Sequence, residues 1–154
     1  MKIMDEEIKT MQKLWGDGIV EIGKICVNGG DYVKAGLSLV KELYNYDGEG
    51  GCLFKPTKAS VHAFRENAED AASYFVGGSV KEDKGFALHP WKEVYFDEKY
   101  DTYIDDCVAI VMGYYNFVDY QGNKTQAEYT FGYKRRSTLN HLSIFTHHSS
   151  IPFK

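Results

Sequence analysis

A chain of 154 residues with 44% apolar and 26% charged side chains is sized for one domain with a hydrophobic core of its own. Its 22 acidic and 18 basic residues are scattered and leave a formal charge of −4, which offers no basic footprint for nucleic acid and no polybasic patch for a membrane surface. The three cysteines, Cys26, Cys52 and Cys107, are odd in number and far apart, excluding a full disulfide framework and a CxxC zinc pattern and leaving buried or free thiols.

Met1 to Thr10 is charged and holds no long apolar run, which argues against an intact secretory signal or a membrane span. The expectation is a soluble protein whose compartment, plastid or cytoplasm, the sequence leaves open. Ile8, Met11, Trp15, Ile19, Ile22 and Ile25 recur every three or four residues and predict an amphipathic helix from about Asp5 to Val27. Gly16, Gly18 and Gly23 inside it each cost about 1 kcal/mol against alanine, so a bend or a close backbone contact is expected there. Asn28-Gly29-Gly30 stops that helix. Asp31 then reads as the N-cap of a second, with Val33, Leu37, Val40 and Tyr44 as its buried stripe.

Asp47 to Gly51 is a loop by composition, and Leu53-Phe54-Lys55-Pro56 is extended because the residue before proline is forced out of helical space. Val61, Phe64 and Ala68 predict a short helix over Ser60 to Asp70, carrying Arg65 as an ion-pair partner. A strand over Ser73 to Val76 follows, ended by Gly77-Gly78. From there the chain is β-rich. Strands are predicted over Phe86 to His89, Trp91 to Asp97, Asp106 to Asp119, Lys124 to Arg135 and Leu142 to Ser149, with Gln121-Gly122-Asn123 as a hairpin turn. Tyr114, Tyr115, Phe117, Tyr129, Phe131 and Tyr133 are read first as strand packing and second as a pocket wall. Helices followed by long strands give an α+β domain spanning residues 1–154, with a curved antiparallel sheet wrapped on the leading helix. The order resembles the cone of nuclear transport factor 2, a fold that predicts a pocket between helix and sheet but assigns no function.

The last strand holds the richest cluster of proton-handling groups: His147, His148, Ser149 and Ser150. Strand alternation puts His147 and Ser149 on one face and His148 and Ser150 on the other. Only one His/Ser pair can then line a given pocket. A three-histidine zinc site is hard to build from the five histidines, because His62, His89 and His141 would have to converge from separate segments.

Three blocks make the reading specific. They are Leu53-Phe54-Lys55-Pro56-Thr57-Lys58-Ala59, then Ser73-Tyr74-Phe75-Val76-Gly77-Gly78 with Glu82 to Ala87 and Pro90-Trp91, and finally His147-His148-Ser149-Ser150 before Pro152. In this order and spacing, over most of the chain from about Asp31, the sequence resembles the iota class of carbonic anhydrases. It departs from that family's usual ending in lacking a methionine before Pro152. The resemblance implies reversible hydration of carbon dioxide to bicarbonate in a metal-free site without cofactor, manganese being the one divalent metal associated with an algal member. It also implies that Thr57, Tyr74 and Ser149 supply the substrate-binding hydroxyls, with Ser150 the alternative if the last strand is shifted by one residue.

His147, on the face of Ser149, is a candidate acceptor for the released proton, since imidazole titrates near neutrality. The expected partners are carbon dioxide and bicarbonate, neither nucleic acid nor membrane, and other copies of the chain in a homodimer or higher homo-oligomer. Two rivals stand beside this reading: a non-catalytic association module of the same fold, and an isomerase or cyclase. The second would need a carboxylate base in the pocket, and Glu82 and Asp83, flanked by lysines, read as solvated.

Overall fold

The computed structural model describes residues 1–154. The first apolar stripe folds as its period dictates, into a helix over Asp5–Val27 (α1) that buries Ile8, Met11, Trp15, Ile19 and Ile22. Two of its glycines mark close backbone contacts. A Cβ added to Gly16 would lie 2.9 Å from the carbonyl oxygen of Val94, and one on Gly23 would lie 3.0 Å from that of Ala87. Asp31 caps the second helix, Tyr32–Leu43 (α2), by accepting the Lys34 amide at 3.1 Å. Of its expected stripe Val40 and Tyr44 are buried, whereas Val33 is exposed.

A short strand, Leu53–Lys55 (β1), precedes a third helix, Ala68–Val76 (α3). The chain continues through a 3-10 turn at Phe86–Leu88 into Trp91–Phe96 (β2), Asp101–Ile104 (β3), Val108–Asp119 (β4), Lys124–Lys134 (β5) and Ser143–Ser150 (β6). The six strands form one sheet in the order β1-β6-β5-β4-β2, with β3 pairing a further stretch of β4. The pairs β2 with β4, β3 with β4, β4 with β5 and β5 with β6 are antiparallel, whereas β1 runs parallel to β6. The sheet is therefore mixed rather than wholly antiparallel. Strands joined by a tight turn have to reverse direction. No such turn links β1 to β6, so nothing forces that pair to do so.

The middle of the chain departs most from the sequence-based expectation. The segment around Val61 and Phe64 is not helical, and both side chains are exposed. The helix starts later because Asn67 caps it, accepting the Asp70 amide at 2.9 Å, while the Arg65 amide is drawn to the carbonyl of Phe54 at 2.8 Å. It then runs through Ser73 to Val76, which was expected as a strand, and ends at Gly77 with φ of 76°. Residues Phe86 to His89 form a turn instead of a strand, and β3 was not expected at all. Its residues are mostly exposed, so it carries no apolar alternation to betray it.

Trp15 sits at the middle of the core. Its indole stacks on Tyr115, with ring centres 5.4 Å apart, and meets Phe75, Phe96, Phe117, Phe131 and His147 edge-on at 5.7–6.2 Å. One aromatic cluster thus joins α1, α3 and the inner face of the sheet, and the site lies along its edge.

Candidate active site

The alternation of β6 decides which polar groups enter this cluster. His147 and Ser149 are 2% and 1% exposed, whereas His148 is exposed and Ser150 half-buried on the opposite face. Pairing fixes their neighbours. Phe54 on β1 and Phe131 on β5 flank His147, and Tyr129 lies opposite Ser149. Ser150 donates instead to the Glu128 carboxylate at 3.1 Å. The shifted-register alternative therefore fails: Ser150 does not join the other hydroxyls, because a two-residue period sends it to the far side of the sheet.

Thr57, Tyr74, Ser149 and His147 do come together, with a fifth member, Tyr115, that the sequence reads first as strand packing and second as a pocket wall. The Thr57 and Ser149 hydroxyl oxygens are 2.5 Å apart, and Tyr115 donates to Ser149 at 2.5 Å. Tyr115 also lies 3.1 Å from His147 Nε2, while Nδ1 of that ring lies 2.8 Å from the Tyr44 hydroxyl. Tyr74 reaches in from α3 and accepts the Lys58 amide at 3.4 Å. A buried tyrosine hydroxyl needs a partner, and Tyr115 shares its strand face with the core residue Phe117. That was the signal available in the sequence, though it could not name Ser149 as the partner.

Around these groups lies a cavity of about 10 Å³, room for a single water-sized molecule. Besides Thr57, Tyr74, Tyr115, His147 and Ser149, its walls are Trp15, Phe54, Pro56, Phe75, Phe86 and Phe117. Tyr74 and Phe86 also line a larger outer pocket of about 750 Å³, edged by Lys58, Glu82, His89 and Asp119. These two rings, stacked with centres 5.6 Å apart, stand between the outer pocket and the inner cavity.

Burial governs the protonation of the inner groups. Desolvation pushes the Tyr74 hydroxyl up to about 12, opposed by the Lys58 amide and Thr57, and it raises Tyr115 and Tyr44 further still. All three are neutral donors at physiological pH. Desolvation first, and the neighbouring His148 second, hold His147 well below the ordinary imidazole range. Its ring is clamped between Phe131 and Phe54, at 3.9 and 4.8 Å between centres. Such a ring is a poor resting place for a proton, which argues against the expected role of His147 as acceptor.

Glu82 and Asp83 are not the solvated pair expected from their lysine neighbours. The Asp83 carboxylate binds both terminal nitrogens of Arg65, at 2.5 and 2.7 Å, and both side chains are fully buried. Arg65 also donates to the carbonyls of His62 and Asp70 and lies over the Tyr74 ring at 5.9 Å. It is an ion-pair residue, as expected, but on a non-helical segment. Glu82 accepts the amides of Ser60 and His62 at 2.8 and 2.5 Å, pinning the chain that follows Thr57. No three His, Cys, Asp or Glu side chains are grouped to hold a metal ion, and no helix is long and apolar enough to cross a membrane.

The helices on a mixed sheet, with a pocket at the inner face, are those of the nuclear transport factor 2-like proteins. A protein from Xanthomonas campestris, described as a calcium/calmodulin-dependent protein kinase II association domain, superposes with a TM-score of 0.65 at 19% identity, over 95% of this chain and 86% of its own. Other members of that fold superpose at 7 and 13% identity, and likenesses this remote show the fold alone. Two closer comparisons go further. A crystal structure of the iota-carbonic anhydrase from a cyanobacterium, complexed with bicarbonate, superposes with a TM-score of 0.91 at 33% identity, covering 99% of this chain and 94% of that one. The metal-independent carbonic anhydrase of Nostoc sp. is 34% identical over 157 residues, 99% of this chain and 75% of that protein. The family model of the metal-independent carbonic anhydrases matches residues 6–151. This chain belongs to that family, and the family is one of lyases that need no metal cofactor.

Proposed function

We propose that carbon dioxide is hydrated where the inner cavity meets the outer pocket, with Thr57, Tyr74 and Ser149 binding substrate and product. The inner cavity seats one small molecule against these hydroxyls, and its reaction partner approaches past Tyr74 and Phe86 from the outer pocket. The observation that carries this is the convergence of the three hydroxyls on one small cavity in a chain of this family. In the hydration direction the oxygen of a bound water forms a bond to the carbon of carbon dioxide. One C=O electron pair moves onto its oxygen and one proton leaves, giving bicarbonate and H⁺. Water is a weak nucleophile at neutral pH, so the barrier has to fall through positioning and through donors aimed at the oxygens on which charge develops. Neutral hydroxyls in a cavity walled by aromatic rings suit that task, because low polarity strengthens each of their bonds to a forming anion. His147 orients Tyr115 and, through it, Ser149. The proton passes to water on the side of the outer pocket. The isomerase or cyclase alternative lacks its base, since no carboxylate lines the inner cavity and Asp83 is committed to Arg65.

Ser149→Ala and Ser150→Ala form the direct test, because the two serines are adjacent in sequence and opposite in orientation. Stopped-flow hydration of carbon dioxide should collapse in the first and persist in the second. Equal activity in both would place the site elsewhere. Bicarbonate in the cyanobacterial relative supports the same ligand here. We also propose that copies of the chain associate through the outer sheet face, where Tyr103, Met112 and Tyr114 are exposed on neighbouring strands. A monomer in sedimentation at micromolar concentration would overturn that.

A further inference from the structure

The hydroxyls of the cavity are the near end of a longer chain of hydrogen bonds whose far end is Trp15. The indole N–H of Trp15 lies 3.0 Å from the Tyr44 hydroxyl oxygen, and that hydroxyl lies 2.8 Å from His147 Nδ1. Trp15, Tyr44 and His147 are all at most 3% exposed, so none can exchange a partner for bulk water. An indole nitrogen only donates. Tyr44 thus receives a hydrogen bond from Trp15 and has one hydrogen to give, and Nδ1 is the acceptor it meets. Were Nδ1 protonated, two N–H groups would point at the same oxygen and the Tyr44 hydrogen would be buried without a partner, a disfavoured state.

Each further link follows from the one before. With Nδ1 accepting, a neutral His147 carries its hydrogen on Nε2 and donates it to Tyr115 at 3.1 Å. Tyr115 then donates to Ser149. The Ser149 and Thr57 hydroxyls lie 2.5 Å apart, so one hydrogen joins them and, whichever hydroxyl gives it, the other hydrogen is left for the cavity.

We propose that Trp15 and Tyr44 are positioning residues that fix the direction of this chain, so that every N–H and O–H points from the core toward the cavity and the last hydrogen is offered to a substrate oxygen. The inference rests on the site proposed above and adds to it a single tautomer for His147 and a single sense for the Tyr44 and Tyr115 hydroxyls. It also makes the chain one-way. Passing the product proton back along it would require every link to reverse, and the reversal stops at Trp15, whose nitrogen cannot accept. The proton therefore leaves by the outer pocket, and the buried chain serves only to hold donors in place. Donors fixed in advance do not have to reorient as charge develops, which is how such groups lower a barrier.

The test reads the tautomer directly. In the 15N-labelled wild-type protein, two-bond 1H–15N correlation spectra of the His147 ring, assigned through the backbone of β6, should show a bare Nδ1 and a protonated Nε2 at neutral pH. A ring protonated at Nδ1, or at both nitrogens, overturns the proposal without any variant having to fold. Tyr44→Phe keeps the ring and removes the hydroxyl. It should abolish the tautomer preference and lower kcat for hydration about 10-fold or more, the range seen when an orienting bond behind a functional group is lost, with KM little changed. Full turnover and an unchanged tautomer in Tyr44→Phe would also overturn it. Failure of the site itself is distinguishable, since Ser149→Ala would then retain activity whatever tautomer His147 adopts.

Discussion

Tyr74 shows how hydroxyl and ring can be separated. The ring stacks on Phe86, meets Phe54 edge-on and lies under Arg65, so Tyr74→Phe preserves the packing and removes only the hydroxyl, with its long bond from the Lys58 amide. Hydroxyls that stabilise a developing oxyanion are typically worth about 2.7–4 kcal/mol, a roughly 100- to 1000-fold loss of turnover. Tyr74→Phe and Thr57→Val should each fall in that range with a melting temperature close to that of the wild type. A fall in melting temperature matching the loss of activity would assign the effect to packing instead. His147 makes a separate prediction about pH. Its folded-state pKa is depressed by desolvation, while in the unfolded chain it titrates near 6.5. The folded state binds fewer protons, so stability is full above about pH 6.5 and declines as pH falls toward the folded value. Asp5 and Glu7, lowered chiefly by their bonds to Tyr100 and Arg135, add the same dependence only around and below pH 4.5. Urea unfolding midpoints should therefore already fall between pH 6.5 and 5, and a flat profile there would contradict a buried neutral His147.

Between the strands and α3, the Arg65–Asp83 pair supports the segment that places Thr57 and Tyr74. Both charges are fully buried, and breaking such a pair leaves one uncompensated, at a cost of about 3–5 kcal/mol. Asp83→Asn should lower stability by that amount in chemical denaturation, whereas a change under 1 kcal/mol would mean that Arg65 reaches water. This part of the molecule was also the least legible in the sequence. The run Val61, Phe64, Ala68 has helical spacing, but a capping asparagine and a tertiary bond from the Arg65 amide to β1 move the helix C-terminal to it. Tyr74, singled out by its family block, lies on α3 and not on the strand expected for it. Helix α1 and strands β4 to β6 were legible because each buries one continuous face, and the sequence period records that face. The partnership of Tyr115, Tyr44 and Trp15 with His147 left no such record. It joins residues 29 to 103 positions apart along the chain, and only the register of the sheet and the docking of α1 bring them together.

Across the whole molecule, chemistry and stability share one aromatic core. Trp15 both fills the space between α1 and the sheet and starts the polar chain that ends at Thr57, so the site is as rigid as the core around it. The outer pocket is wide and carries charged side chains on its rim, whereas the inner cavity is just large enough to order a small molecule against fixed donors. The sequence of the last strand already implied which pair reaches the inner cavity, since it sends His147 and Ser149 inward and His148 and Ser150 to the far face of the sheet. The most direct test of the account is stopped-flow hydration of carbon dioxide by exhaustively chelated protein, with wild type and Ser149→Ala measured side by side. The expected result is a wild-type rate unchanged by chelation and a rate roughly 100- to 1000-fold lower in folded Ser149→Ala. A wild-type rate lost on chelation and restored by zinc, or a Ser149→Ala rate equal to that of the wild type, would contradict it.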